Sequence, residues 1–340
     1  MSLRIIVLMG GTSSERDVSL ATGIRCAEAL RACGHRVTAV DPASGEISES
    51  EQRALASGTV VRVAPPPQEA LRRMAREALP RIAGLLPRRG DADVVFLGLH
   101  GGAGEDGTIQ AMLDLAGVPY TGSGHLASAL AMDKDLSKQL FRQAGVATAK
   151  WLMAPASPAQ VETSLGFPVV VKPSKQGSTV GLSIVKEARE LEAAVAAAFE
   201  FDDEVMIEGF VPGRELTVGI LGGEALPVGE IVPKHEIYDY ECKYTPGMAD
   251  ERFPAALTSD ETARVQDAAR RAFRALKLGG CARIDFRMAP DGECYCLEAN
   301  TLPGMTQTSL VPQAAAAAGL SFPELCDRIV KLALAHGGGD

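Results

Sequence analysis

No apolar run in these 340 residues approaches the ~20 positions that cross a bilayer, which argues against a membrane-spanning protein. Basic residues nowhere form a block. The densest pairs are Arg72-Arg73 and Arg88-Arg89, and the formal net charge is −9, so no nucleic-acid partner is expected. The first strand-like segment is followed by Gly10-Gly11-Thr12-Ser13-Ser14-Glu15 and not by a GxGxxG turn, which disfavours a nicotinamide dehydrogenase. A Walker A loop is missing as well, because Lys172 precedes its glycines. The seven cysteines are odd in number and scattered. Cys294 and Cys296, two apart on one strand, make a poor zinc pattern, so reduced thiols are expected. No internal repeat is present. The apolar stretch 3–9 is too short for a secretory leader, and the expectation is a soluble, cytoplasmic protein.

What is present suits packed cores: 46% of the residues are hydrophobic, and the length calls for two or three domains. Strands are predicted over 4–9, 36–40 and 93–99, with a helix over 18–33 that stops at Gly34. This alternation implies an open parallel sheet, which binds ligands beyond the carboxyl ends of its strands. Both Gly10-Gly11 and His100-Gly101 lie at such ends. A helical stretch is predicted over 68–86, after the Pro65-Pro66-Pro67 break. Further on, helices are predicted over 126–143, 191–200, 259–276 and 312–334, the third capped by Ser259 or Asp260. Strands are predicted over 167–173, 182–185, 205–208 and 215–221.

The most informative stretch is 282–300, which reads as a β-hairpin turning at Asp291-Gly292. Alternation sends Ile284, Phe286, Met288, Tyr295, Leu297 and Ala299 to one face. Arg283, Asp285, Arg287, Glu298 and Asn300 go to the other. With a two-residue loop, Asp285 stands opposite Glu298 and Arg283 opposite Asn300. At roughly 4 Å and an effective dielectric near 20, two such carboxylates repel by about 4 kcal/mol. A hard divalent cation removes that cost, and oxygen ligands suit Mg²⁺. Taken alone, the hairpin leaves two readings open: a metal site or a solvated polar face.

The other motifs are also ambiguous singly. Lys172 with the loop Ser174-Lys175-Gln176-Gly177-Ser178-Thr179-Val180-Gly181 is a phosphate cradle or a common glycine turn. Lys134 is a ligand or an exposed helix lysine. Glu208 and Glu215 hold an adenosine or are simply solvated. Glu15 binds an amine or favours a helix N-terminus. His100 is a site residue or a structural histidine. Residues 238–244 and 306–309 read as polar loops. Together, a phosphate loop, an oxygen-rich cation site and an amine-binding acid describe nucleotide-driven activation of a carboxylate.

In their order along the chain these blocks resemble the D-alanine–D-alanine ligase family of the ATP-grasp superfamily, over about 5–334. They include Gly10-Gly11-Thr12-Ser13-Ser14-Glu15-Arg16, His100-Gly101 with Gly104-Glu105-Asp106-Gly107, Met132-Asp133-Lys134, Lys243-Tyr244, Arg283-Ile284-Asp285, Glu298-Ala299-Asn300 and Pro303-Gly304-Met305-Thr306. The resemblance implies an α/β fold with an N-terminal open parallel α/β domain (1–121), a small central α+β domain (122–206) and a C-terminal α+β domain (207–340). It implies two D-alanines as substrates, ATP, two Mg²⁺ (or Mn²⁺) and a homodimer. Lys134 and Lys172 would hold phosphates, and Glu208, Phe210, Val211 and Glu215 the adenosine. Asp285, Glu298 and Asn300 would hold the metal. Glu15 would bind the first ammonium, with His100 near the first carboxylate. Arg283 and the Gly304 N–H would stabilise the oxyanion. Lys243, Ser309 and Leu310 would receive the second carboxylate, and Tyr244 and Ser178 would join Glu15 in a hydrogen-bonded lid. Ligases of this fold that join D-alanine to D-lactate or D-serine are the nearest alternative. The family pattern has phenylalanine at Tyr244 in D-lactate relatives, so the tyrosine points to an amine nucleophile. The segment 42–90 is longer than in compact members, Gly209 and Phe210 depart from the usual adenine pocket, and His125 stands where an apolar residue is more usual.

Overall fold

A computed structural model describes residues 2–57, 90–235, 237, 238, 242 and 247–336, with scattered positions between 69 and 87. The sequence prediction of a helix over 68–86, and the site residues Lys243 and Tyr244, fall mostly or wholly outside the described residues.

Three sheets organise the chain. The first contains β1 (Arg4–Leu8), β2 (Arg36–Asp41), β3 (Gly45–Glu46) and β4 (Val94–Leu97) in the order β3-β2-β1-β4. β1 runs parallel to β2 and β4, and only the short β3 is antiparallel. Helix α1 (Arg16–Ala32) covers one face, burying Leu20, Ile24, Ala27 and Leu30 against Ile5, Val7 and Phe96. Gly23 makes that approach possible, because a Cβ there would lie 2.3 Å from Met9 Cβ. The helix starts at the carboxyl end of β1, and this places Glu15 at the sheet's ligand edge. After α2 (Glu49–Ser57), helix α3 (Thr108–Ala116) packs on the other face through Ile109 and Leu113.

Residues 126–143, predicted as one helix, form two: α4 (His125–Met132) and α5 (Lys134–Gln143). Asp133 divides them. Its extended backbone ends the first, and its carboxylate accepts the Leu136 N–H at 3.0 Å to cap the second. Both helices pack on the large third sheet through Ala127, Ala131 and Phe141. The second sheet, in the order β5-β8-β6-β7, is antiparallel and joins β5 (Trp151–Met153), β6 (Val169–Pro173), β7 (Ser183–Val185) and β8 (Val205–Gly209). Helices α6 (Pro158–Ser164) and α7 (Leu191–Phe199) cover it.

The large sheet comprises β9 (Arg214–Leu221), β10 (Glu224–Ala225), β11 (Gly229–Pro233), β12 (Ala249–Arg252), β13 (Cys281–Met288) and β14 (Cys294–Asn300), in the order β12-β11-β9-β13-β14 with β10 on β9. Helix α8 (Ser259–Ala275) covers one face of it. Its cap is Thr258 and not Ser259 or Asp260: Thr258 and Glu261 form a reciprocal capping box. The helical text at 312–334 also divides, into α9 (Leu310–Ala317) and α10 (Phe322–His336), separated by Gly319 at φ 82°. Leu325, Ile329 and Val330 of α10 return to pack on α1.

The β13–β14 hairpin corrects the sequence reading in an instructive way. Asp285 does pair with Glu298 and Arg283 with Asn300. The last pair before the turn is Met288 with Cys294, so the loop is longer than Asp291-Gly292. A bulge between Asp285 and Phe286 on the ladder then restores the expected pairing at the acids. The bulge also turns the strand over. Cys296 enters the core beside Ala299, and Leu297 and Tyr295 do not.

Gly23→Ala forces a methyl group into the α1–β1 contact. We expect about 1–3 kcal/mol of destabilisation, read as a lowered urea midpoint with an unchanged m-value.

Candidate active site

One cleft runs between the small and large sheets and opens onto the edge of the first. At one end, Val170, Glu208, Phe210, Val211, Glu215 and Arg287 line an apolar slot. It continues past Lys172, Thr179, Leu182 and Leu297 to Lys134, Arg283, Asp285 and Glu298. Beyond Ser178 and Arg283 lie Glu15, His100, Glu105, Asn300, Gly304 and Ser309. The described residues of the predicted site thus gather along a single path.

Local geometry explains each position. The Glu15 carboxylate makes no cap bond to its own helix. It accepts a hydrogen bond from Ser178 Oγ at 2.5 Å, across 163 residues. Gly101 and Gly177 leave room for it, since a Cβ at either would sit 2.9 Å or 3.0 Å from Glu15 Oε2. Ser178 and Thr179 hold φ of 51° and 59°, unfavourable for side-chain-bearing residues. Lys134 begins α5 and donates to the Gln176 carbonyl at 2.7 Å, which anchors the same loop. Its ammonium lies 3.3 Å from Glu298.

On the hairpin, Asp285 accepts from Arg283 Nε at 2.9 Å, Thr217 Oγ1 at 2.7 Å and Asn300 Nδ2 at 3.0 Å. Burial opposes the Arg283 charge, but the Asp285 carboxylate outweighs it and raises the guanidinium pKa. Lys172 and Lys138 both pair with the buried Glu208. Burial works against that carboxylate, yet Lys172 and then Lys138 bring its pKa below the usual carboxylate value. Glu215 takes Arg287 at 3.3 Å, and Arg287 also donates to the Val211 carbonyl at 3.1 Å and lies 5.7 Å from the Phe210 ring centre.

His100 is fully used inside the protein. Its Nδ1 donates to the Leu302 carbonyl at 2.9 Å, and its Nε2 accepts from Thr22 Oγ1 at 2.9 Å. These partners fit a neutral ring, in keeping with the burial that lowers its pKa. It ties the first sheet's edge to the loop that carries Gly304. In that loop Ser309 Oγ accepts the Thr306 N–H at 2.9 Å, leaving the first turn of α9 uncapped by its own side chain. Such a helix start suits a carboxylate.

Four participants went unassigned in the sequence reading. Lys138, Thr148 and Thr217 carried no visible motif, and Glu105 stood inside a quoted block without a role. Lys138 had one signal. Residues 134, 137, 138 and 141 form the buried stripe of α5, and two lysines occupy places where apolar residues are the rule.

The comparisons with known proteins decide the family. Sequence models described as D-ala D-ala ligase N-terminus and D-ala D-ala ligase C-terminus match residues 4–123 and 136–331. The chain belongs to the D-alanine–D-alanine ligase family. It is 43% identical over 327 residues to a D-alanine–D-alanine ligase of Syntrophotalea carbinolica, covering 96% of this chain and 95% of that one. Among solved structures it is similar to the Bacillus anthracis D-alanine–D-alanine ligase complexed with ATP, at 32% identity, TM-score 0.74, and 99% and 98% of the two chains. It is also similar to the VanG D-Ala:D-Ser ligase of Enterococcus faecalis, at 30% identity, TM-score 0.78, and 98% and 100% coverage. The ligase therefore has the ATP-grasp architecture, with three sheets enclosing the cleft.

Glu105 generates a prediction. Its oxygens accept the Gly101 N–H at 3.1 Å and the Leu302 N–H at 3.3 Å. Burial, then the nearby Glu15 charge, push its pKa from an ordinary 4.5 up to about 7. Between those values the folded ligase keeps a proton that the unfolded chain has released, so stability falls as pH rises through this window. The full shift corresponds to at most about 3 kcal/mol, and less because the residue keeps some exposed surface. Glu105→Gln cannot ionise. Urea unfolding from pH 4.5 to 8 should therefore show the wild type losing about 1–2 kcal/mol relative to the variant. Parallel pH profiles would contradict the assignment.

Proposed function

We propose a division of labour along this cleft for the reaction of the family. The enzyme is an ATP-dependent ligase that joins two D-alanines into D-alanyl-D-alanine through D-alanyl phosphate, releasing ADP and phosphate, for peptidoglycan precursor synthesis. The carrying observation is the continuity of the cleft from Phe210 to Glu15, past the opposed Asp285 and Glu298.

Glu208, Phe210, Val211 and Glu215 hold the adenosine. The oxygens of Glu208 keep lone pairs beyond their lysine partners. Lys134 and Lys172 take the phosphates, under the loop closed by Ser178. Among the described residues no group of three or more His, Cys, Asp or Glu side chains forms a metal cage. The set Asp285, Glu298 and Asn300 nevertheless fits a hard cation in its chemistry, because two carboxylates and an amide carbonyl can offer oxygen ligands; with no cation, Arg283 and Lys134 stand beside the two acids. We assign two Mg²⁺ to these three residues, with Mn²⁺ as a substitute. When bound, ATP and the cation supply the phosphoryl group and the neutralising charge that make a carboxylate electrophilic.

The chain's own residues do the rest. Glu15 holds the ammonium of the first D-alanine, and Ser178 fixes the orientation of that carboxylate. His100, neutral and doubly bonded, keeps the Gly304 loop in register beside the first substrate. Arg283 and the Gly304 N–H face the oxyanion that develops at the acyl carbon. Ser309 and the Leu310 N–H receive the second carboxylate, with Lys243. Tyr244 completes the lid with Ser178 and Glu15.

The proposed domain limits remain 1–121, 122–206 and 207–340; β8 runs to Gly209, and α4 and α5 pack on the large sheet. The expected homodimer and cytoplasmic location are carried as part of this proposal. The seven free thiols suit a reducing compartment, and no described helix is long and apolar enough to cross a membrane.

Phosphate release from ATP with D-alanine against L-alanine, with mass spectrometry of the product, tests the reading. ATP turnover indifferent to D-alanine would defeat it. Glu298→Gln should lower kcat at least about 100-fold, some 2.7 kcal/mol, with an unchanged circular dichroism spectrum, and Asp285→Asn should do so less severely. Near-normal activity in both variants at low Mg²⁺ would leave the hairpin as a solvated face.

A further inference from the structure

Lys138 takes no part in the assignments above, yet its side chain has no exposed surface. An ammonium is buried only where its charge and its hydrogens are answered. Here Nζ donates to Glu208 Oε1 at 2.5 Å and to Thr148 Oγ1 at 2.5 Å. The Trp151 ring centre lies 5.2 Å away. The Thr148 hydroxyl in turn donates to the Cys296 carbonyl at 2.8 Å, and the Cys296 N–H donates to the Ala147 carbonyl at 2.8 Å. Cys296 sits at the bulge, two residues before Glu298.

The second oxygen of Glu208 is on Lys172. One carboxylate therefore stands between two ammonium groups, although one would neutralise it. The two lysines differ in what else they face. Lys172 lines both the phosphate part and the adenosine part of the cleft, and Lys138 lines neither.

We propose that Lys138 is a positioning residue for the nucleotide: it is the resident counter-ion of Glu208, which leaves the charge of Lys172 to the nucleotide, and through Thr148 it sets the strands carrying Lys172 and Glu208 against the strand carrying Glu298. The inference rests on the nucleotide reading of the cleft. It explains why an amphipathic helix spends a core position on a lysine one turn after Lys134. That spacing puts both ammonium groups on the same face, one at the cleft and one behind it.

Lys138→Met keeps the chain length and removes the charge. The expected result is a KM for ATP raised at least about tenfold, with kcat within about threefold and the KM for D-alanine unchanged. In a Glu208→Gln background the same replacement should shift the KM for ATP less than about threefold, because the carboxylate that needs the counter-ion is gone. Equal rises in both backgrounds, a fall in kcat alone, or an unchanged KM for ATP would overturn the inference by leaving Lys138 a packing residue. If the methionine variant does not fold, Lys138→Gln is titrated calorimetrically with a non-hydrolysable ATP analogue. Weakened binding supports the proposal, and wild-type affinity overturns it. A wild-type protein that forms no D-alanyl-D-alanine from ATP would remove the cleft reading itself. A fully active wild type, with Lys138→Met normal in its KM for ATP, removes only this inference.

Discussion

Two carboxylates facing each other across a β-ladder are the constraint on which the rest of the cleft depends. Asp285 and Glu298 occupy paired positions on β13 and β14. Like charges directly opposed in a ladder destabilise it. The fold answers it from both sides. Arg283 and Thr217 hold Asp285, and Lys134 approaches Glu298 from a different element. The two acids thus have different partners, Arg283 for Asp285 and Lys134 for Glu298. Each compensating group belongs to a different part of the site. Arg283 faces the amino-acid pocket and Lys134 the phosphate loop.

The same logic recurs at the loop 174–182. Two non-glycine residues at positive φ store strain of order 1–3 kcal/mol each. The Ser178–Glu15 bond and the Lys134–Gln176 bond hold them in place. Both anchors are functional groups of the cleft. The loop's conformation is therefore tied to residues that line the cleft, Glu15 through Ser178 and Lys134 through the Gln176 carbonyl.

How much of this was legible in the sequence depends on the range of the interaction. Alternation and turn residues sufficed for the first parallel sheet and for the hairpin. A two-residue loop predicts the pairing of Asp285 with Glu298, and the structure has that pairing with a longer loop. A longer turn and a bulge shift the register in opposite senses, and the acids meet all the same. The consequence of the bulge, Cys296 inward and Leu297 toward the nucleotide groove, could not be read from period-two alternation. The helix breaks at Asp133 and Gly319 are hidden from sequence because apolar periodicity continues through them, whereas a single cap or a positive φ ends the helix. His100 was expected at the site, but which partners would take its two ring nitrogens was invisible. One partner, Leu302, lies 202 residues away.

Lys138 shows where local reading stops and tertiary electrostatics begin. The chain carries a net charge of −9, yet its cleft collects Lys134, Lys172, Arg283 and Arg287, with Lys138 behind it. Each has an acidic partner within the fold: Glu298 for Lys134, Glu208 for Lys172 and Lys138, Asp285 for Arg283 and Glu215 for Arg287. A groove for a polyanion is thus stored in a compensated state, which avoids burying bare cations before the nucleotide arrives. Binding then exchanges partners instead of creating charge. The exchange has a consequence at Glu208, which serves two cations. Withdrawing Lys172 toward a phosphate leaves the other acids unchanged and would strand Glu208 unpaired in the interior, were it not for the second, fully enclosed ammonium behind it. The enclosed lysine behind the cleft is what lets Lys172, which lines it, change partners.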